Sequence, residues 1–195
     1  MLGIPPGPCV SLDTDLATTL QADRVFRIDG PVPAILHFEL EGNGRLGIPK
    51  ELLRYNVLTA HPHDIPVLSL LILLRRSALA SDMTGTYIRR DSGGSPIVVF
   101  NYHIEKVWER SVDFWLRSGA GLAPLAMLTD EAEAGLDNAL GRLWKSLQNA
   151  GIERKLVHDV FGSSFILCGM RYGNERLLET FVRIDYVSVF DQEGQ

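Results

Sequence analysis

The run "IPVLSLLILL" at residues 65–74 is apolar almost throughout and stops at Arg75 and Arg76. It is about half the length that a membrane-crossing helix requires. With no polar alternation, it reads instead as a strand covered on both faces. Such a strand belongs in the middle of a sheet.

The flanking segments supply the rest of that sheet. Upstream, "ADRVFRIDG" and "AILHFELEG" are extended segments joined through "DGPVP", where Pro31 and Pro33 forbid helix and Gly30 permits a turn, so a β-hairpin is expected. Pro49 suits a first helical turn, and Leu52, Leu53 and Val57 continue a helix over 49–60 until "HPHDIP" stops it. Downstream, "TGTYIRR" and "PIVVFNYHIEKVW" flank "DSGGS" as a second hairpin.

Past residue 110 the period becomes helical. Leu136, Ala139, Leu140, Leu143, Trp144 and Leu147 recur between Thr129, an N-cap, and Gly151, a stop; residues 152–171 and 175–187 read as two further helices. The 195 residues, 46% hydrophobic and 22% charged, suit a folded chain. They divide into an N-terminal arm (1–20), an α/β core (21–110) and a helical part (111–195) packed on the same core. The fold class is α/β in the α+β sense, a mixed central sheet flanked by helices.

One strand carries a row of polar groups. His37, Glu39 and Glu41 occupy alternate positions, while Leu36, Phe38 and Leu40 make the other face apolar. A half-buried strand with a solvated side is one reading; an acidic metal site is the other. A hairpin turning symmetrically about Pro31 puts Asp23 opposite Glu39, with Cβ atoms about 4.5 to 5.5 Å apart, where two like charges are destabilising unless a cation offsets them. Mg²⁺ takes carboxylate oxygens, waters and substrate phosphate, the set that Asp23 and Glu39 offer. Lys50 and Arg54, four apart on the following helix, could direct positive charge toward the acidic end of the hairpin, or form a solvated helix face.

The succession "ADRVFRIDGPVPAILHFELEGNG", "PKELLRYNVLTAH" and "IPVLSLLILLRR", followed by "TGTY", "FNYHIEKVWE" and "GAGLAPLAMLTDEAE", resembles the recombination-promoting nuclease and putative transposase family of the PD-(D/E)XK nuclease superfamily over roughly residues 20–185. The resemblance implies a restriction-endonuclease-like sheet and Mg²⁺-dependent (or Mn²⁺-dependent) DNA cleavage; separately, two reduced thiols far apart in the chain fit a cytoplasmic protein. The resemblance makes Asp23 the motif Asp and metal ligand, Glu39 the acidic residue of the E-x-Q or E-x-K element, and Tyr55 and Asn56 part of the family's "RYN". Catalytic candidates are then Asp23, Glu39, Glu41 and Lys50, with Arg54 and Tyr55 meeting substrate. Two positions depart from the pattern: Glu41 stands where the family usually has Gln and the superfamily Lys, and Glu51 where the family helix usually has Arg. Both changes weaken attraction for phosphate. The second function reading is therefore a catalytically impaired relative that serves as a binding or oligomerisation module.

The remaining features exclude more than they suggest. Cys9 and Cys168 have no C-x-x-C partner, so neither a zinc ribbon nor a disulfide framework is supported. His61, His63 and Asp64 around Pro62 read as a helix-ending turn, and Trp108, Trp115 and Trp144 as core. A net charge of −5, with the excess acid in the C-terminal half, argues against nonspecific coating of nucleic acid but leaves room for a local basic cleft in the N-terminal half. A homo-oligomer is compatible with the chain.

Overall fold

A computed structural model describes residues 7–11, 15–17, 20–21 and 24–172. The chain divides into two compact units, Met1–Glu105 and Lys106–Gln195. The fold is α+β with a mixed central sheet, and among the described residues no helix is long and apolar enough to cross a membrane. The helix expected over 175–187 lies outside the described residues.

In the first unit the main strands are β1 (Cys9–Ser11), β4 (Arg24–Ile28), β5 (Ala34–Glu41), β6 (Val67–Leu73) and β9 (His103–Lys106), in that spatial order. A separate small sheet pairs β2 (Asp15–Ala17) with β3 (Leu20–Gln21). β4 and β5 are antiparallel, with pairs running from Arg24↔Phe38 to Ile28↔Ala34, a register symmetric about Pro31 as the turn chemistry predicts. β5 and β6 are parallel, and the ladder is closed at both ends by Ile35 N–H donating to Pro66 O and Leu74 N–H donating to Glu41 O. Leu70, Leu71, Ile72 and Leu73 are all buried, as a strand with no polar face must be.

Parallel neighbours need a crossover, and here it is helix α1 (Ile48–Ala60). Gly47 precedes the helix at φ 95°, a conformation that glycine adopts without a Cβ penalty, and its N–H donates to Asp82 Oδ2 at 2.7 Å. The helix buries Ile48, Leu52 and Thr59 and ends at His61, in the turn expected of "HPHDIP". The second hairpin is β7 (Thr86–Arg90) with β8 (Pro96–Asn101). Its loop closes on Asp91, whose Oδ1 accepts from the N–H groups of Gly93 and Ser95.

The second unit is helical: α2 (Val112–Arg117), α3 (Asp130–Ala134), α4 (Leu136–Gln148) and α5 (Arg154–Gly169). Thr129 is an N-cap, as expected, its hydroxyl accepting from Ala132 N–H, but it caps the five-residue α3. The single helix expected between Thr129 and Gly151 is broken at Gly135, whose φ of −153° and ψ of 65° interrupt the helical ladder before α4 begins. α4 buries Leu136, Ala139, Leu140, Leu143 and Leu147, the expected stripe. Cys168 is buried, and burial pushes its thiol up to about 12, away from the reactive thiolate.

Leu52 is wholly enclosed, so Leu52→Ala should lower stability by about 2–5 kcal/mol in chemical denaturation. Val57→Ala, on the exposed side of the same helix, should stay within about 0.5 kcal/mol of the parent. Equal midpoints for the two variants would contradict the packing of α1 described above.

Candidate active site

The polar row of β5 faces inward. His37 is fully buried, and the side chains of Glu39 and Glu41 are only 14% and 13% exposed. The apolar alternate positions are the more open ones: Leu40 is exposed, and Leu36 and Phe38 are half-buried. The reading of this row as the solvated side of a half-buried strand is therefore overturned. A two-residue period separates the faces of a strand but does not say which one the crossover helix covers.

The helix meets the polar row with polar groups of its own. His37 pairs across the parallel ladder with Ser69 of β6, and its Nδ1 lies 3.2 Å from Ser69 Oγ in a shared hydrogen bond. Asn56 Nδ2 of α1 donates to Ser69 Oγ and to Val67 O, while the Tyr55 ring lies edge-on to the imidazole, with centroids 5.4 Å apart. Tyr55 also packs against the buried pair Val25 and Ile35, so it serves the core as well as the site. One ring nitrogen of His37 is thereby fixed. The other, Nε2, lies 3.5 Å from Glu39 Oε2, and both atoms are buried without a hydrogen-bond partner among the described residues. A buried polar atom left in that state costs about 1–3 kcal/mol. Opposite Glu39 and Glu41 on β6 stand Leu71 and Leu73, which gives the carboxylates an apolar floor.

The loop after β5 brings in a residue that the sequence reading missed. Arg45 forks onto Glu51, Nη1 donating to Oε1 at 2.8 Å and Nη2 to Oε2 at 2.7 Å, and its Nε is 3.6 Å from Glu41 Oε2. Glu41 Oε1 accepts from Asn43 N–H at 3.1 Å. Arg75 ties down the same loop through Gly42 O and Asn43 Oδ1, and Gly44 approaches so closely that a Cβ there would lie 2.5 Å from Ser77 O. Glu41 and Glu51 thus share one cation. The Arg45 hydrogen bond holds the Glu51 carboxyl below its ordinary range, and the Glu51 carboxylate raises the Arg45 guanidinium in return. The signal was present in the sequence as Arg45 at i+4 from Glu41, in the short connection to the helix.

Lys50 and Arg54 are not brought to the acids. They lie with Leu53, Val57 and Leu58 on the α1 face opposite Leu52, Tyr55, Asn56 and Thr59, and line a groove with Tyr87, Arg89 and Val98 of the second hairpin. Among the described residues no hydrogen bond or ion pair joins Lys50 or Arg54 to Glu39 or Glu41. Asp23 lies outside the described residues, and the described residues alone contain no group of three or more His, Cys, Asp or Glu able to hold a metal. The donor set that is present, two carboxylates with one buried oxygen lacking a donor, fits a hard cation such as Mg²⁺.

Compared with family models, curated proteins and solved structures, the chain finds no match.

Glu51 ionises more easily in the folded chain than when unfolded. Its pairing with Arg45 therefore adds stability above the ordinary carboxylate range, and that stability is lost as pH falls through the lowered folded value. Both side chains are about half exposed, which limits the gain to about 1 kcal/mol or less. Arg45→Ala should return the Glu51 titration, followed by NMR of the carboxyl carbon, to the ordinary range and remove this part of the acid sensitivity; an unmoved midpoint would refute the pairing.

Proposed function

We propose that this chain is a Mg²⁺- or Mn²⁺-dependent endodeoxyribonuclease with a restriction-endonuclease-like arrangement, as its resemblance to the recombination-promoting nuclease family implies. The observation that carries the reading is Glu39 Oε2, a buried carboxylate oxygen without a donor among the described residues, beside His37 and one pleat from Glu41. A strand whose polar groups served only solubility would turn them outward. Three of them turned inward, running from the middle of β5 to its carboxyl end, support the reading of a site there.

In this reading Glu39, together with Asp23, holds the cation, and Glu41 adds charge that tightens the hold. The chemistry supplied there when the cation is bound is activation of a water and neutralisation of phosphate charge. His37 lies beside Glu39, its ring held by the Ser69 hydroxyl, which Asn56 also engages, and by the edge-on Tyr55 ring. Arg45 provides the only guanidinium among the described residues that reaches Glu41, and its fork offers a planar donor set to a phosphate oxygen once Glu51 releases it.

That engagement favours the second reading, a catalytically impaired relative acting as a binding or oligomerisation module, because an Arg45 bound to Glu51 has fewer donors left for substrate. Nicking of supercoiled plasmid across a Mg²⁺ titration separates the two. The parent protein should nick slowly and only with metal, Glu39→Gln should lose at least tenfold, and Glu41→Gln should nick faster while needing more Mg²⁺. Activity that survives EDTA, or that is equal in parent and Glu39→Gln, would eliminate the assignment. DNA binding with no cleavage would establish the impaired relative.

A further inference from the structure

The groove on the outer face of α1 has a chemistry that the acidic site does not use. It has a volume of about 670 Å³, walls of Leu53 and Val98, the half-buried ring of Tyr87, and a rim of Lys50, Arg54 and Arg89. Among the described residues no carboxylate lines it. Three cations around an apolar, partly aromatic floor stand out in a chain whose formal charge is −5. Lys50 and Arg54, at i and i+4, lie side by side on one helix face, and Arg89 closes the opposite wall from β7.

We propose that this groove binds an unpaired strand of DNA, with backbone phosphates on Lys50, Arg54 and Arg89 and a base laid against Tyr87. The inference rests on the nuclease reading for the identity of the polymer, and it names the form of DNA that the enzyme prefers, one with a single-stranded segment next to duplex. A duplex presents phosphates on its outside but keeps its bases stacked inside, so it would use the cations and leave Tyr87, Leu53 and Val98 idle. A single strand uses both, because every unstacked base has an apolar face for an aromatic ring and its backbone tracks positive charge. The groove is also separate from the cation site. Lys50 and Arg54 project from the side of α1 opposite Tyr55 and Asn56, about one helix diameter of 10 Å away, so a strand held there flanks the scissile phosphate and does not contain it.

The test measures binding apart from cleavage. A fluorescein-labelled twelve-nucleotide oligothymidylate, read by anisotropy in EDTA at several salt concentrations, should bind the full chain, and a matched duplex should bind more weakly. An Arg54→Ala, Arg89→Ala double variant should weaken oligothymidylate binding at least tenfold and flatten the slope of log affinity against log salt by about 1.4, the loss of two single-strand phosphate contacts. Tyr87→Ala should weaken it about 5- to 100-fold with little change of slope, while Tyr87→Phe, which keeps the stacking face, should bind like the parent. Lys145→Ala, which removes an exposed cation of α4 outside the groove, should change nothing. Parent-like binding by the double variant and by Tyr87→Ala would overturn the proposal, as would duplex binding equal to single-strand binding. So would displacement of the oligonucleotide from this groove by a glutamate-rich peptide with equal sensitivity to Tyr87→Ala. If the binding results hold while the parent nicks no plasmid, the groove stands and the nuclease reading alone fails.

Discussion

The parallel ladder between β5 and β6 is the constraint on which the first unit depends. Two parallel neighbours cannot be joined by a tight turn, so the chain must leave the sheet, cross one face as a helix and return. That helix is α1, and the face it crosses is the one carrying His37, Glu39 and Glu41. Burying a polar row under a helix is tolerable only where partners are built in. Ser69 on the neighbouring strand and Asn56 on the helix serve one end of the row, and Asn43 and Arg45 in the connecting loop serve the other. Only the middle of the row, between His37 Nε2 and Glu39 Oε2, is left without hydrogen bonds among the described residues. Within this row the fold satisfies the flanks and leaves the centre unsatisfied, as it also leaves Thr59 Oγ1 and Asp82 Oδ1 among the described residues, and a buried polar atom in that state calls for an explanation beyond stability.

Much of this frame is legible in the residues themselves. Pro31 and Pro33 leave the first hairpin few turns to adopt, and the register they impose is the one observed. The uninterrupted apolar run can only be an interior strand once it is too short for a membrane, and Pro49 marks the helix start to within one residue. What the sequence conceals is tertiary. Alternation in β5 is equally sharp whichever face is inside, so the burial of His37 depends on where α1 lands. Thr129 announces a helix but not its length, because Gly135 is tolerated within a helical pattern until its actual backbone angles are known. Arg45 is hidden for a similar reason. Glu41 and Glu51, read singly, look like two added negative charges, and their neutralisation requires knowing that a six-residue connection folds back and aims one guanidinium between them.

The charges of the first unit are sorted by the two faces of a single helix. Toward the sheet and at its edge, Glu39, Glu41 and Glu51 outnumber Arg45, a surplus that the proposed divalent cation would offset over an apolar floor where charges are poorly screened. On the outer side, Lys50, Arg54 and Arg89 surround a groove with no acid in its lining among the described residues, a surplus that suits the proposed phosphate contacts. Mixed together, these charges would pair with one another and present neither field. Helical geometry prevents that, since Lys50 and Arg54 lie on the side of the helix away from Leu52 and Thr59. Glu51 lies between the two sets and is held by Arg45, while the nearby charge of Arg54 also favours its ionised form. In this light the acid at position 51 is not simply a lost cation. Its pairing with Arg45 leaves Glu39 and Glu41 on one side of the helix and Lys50 and Arg54 on the other, about 10 Å apart, the separation that the proposed metal-dependent cleavage of a polyanion would need.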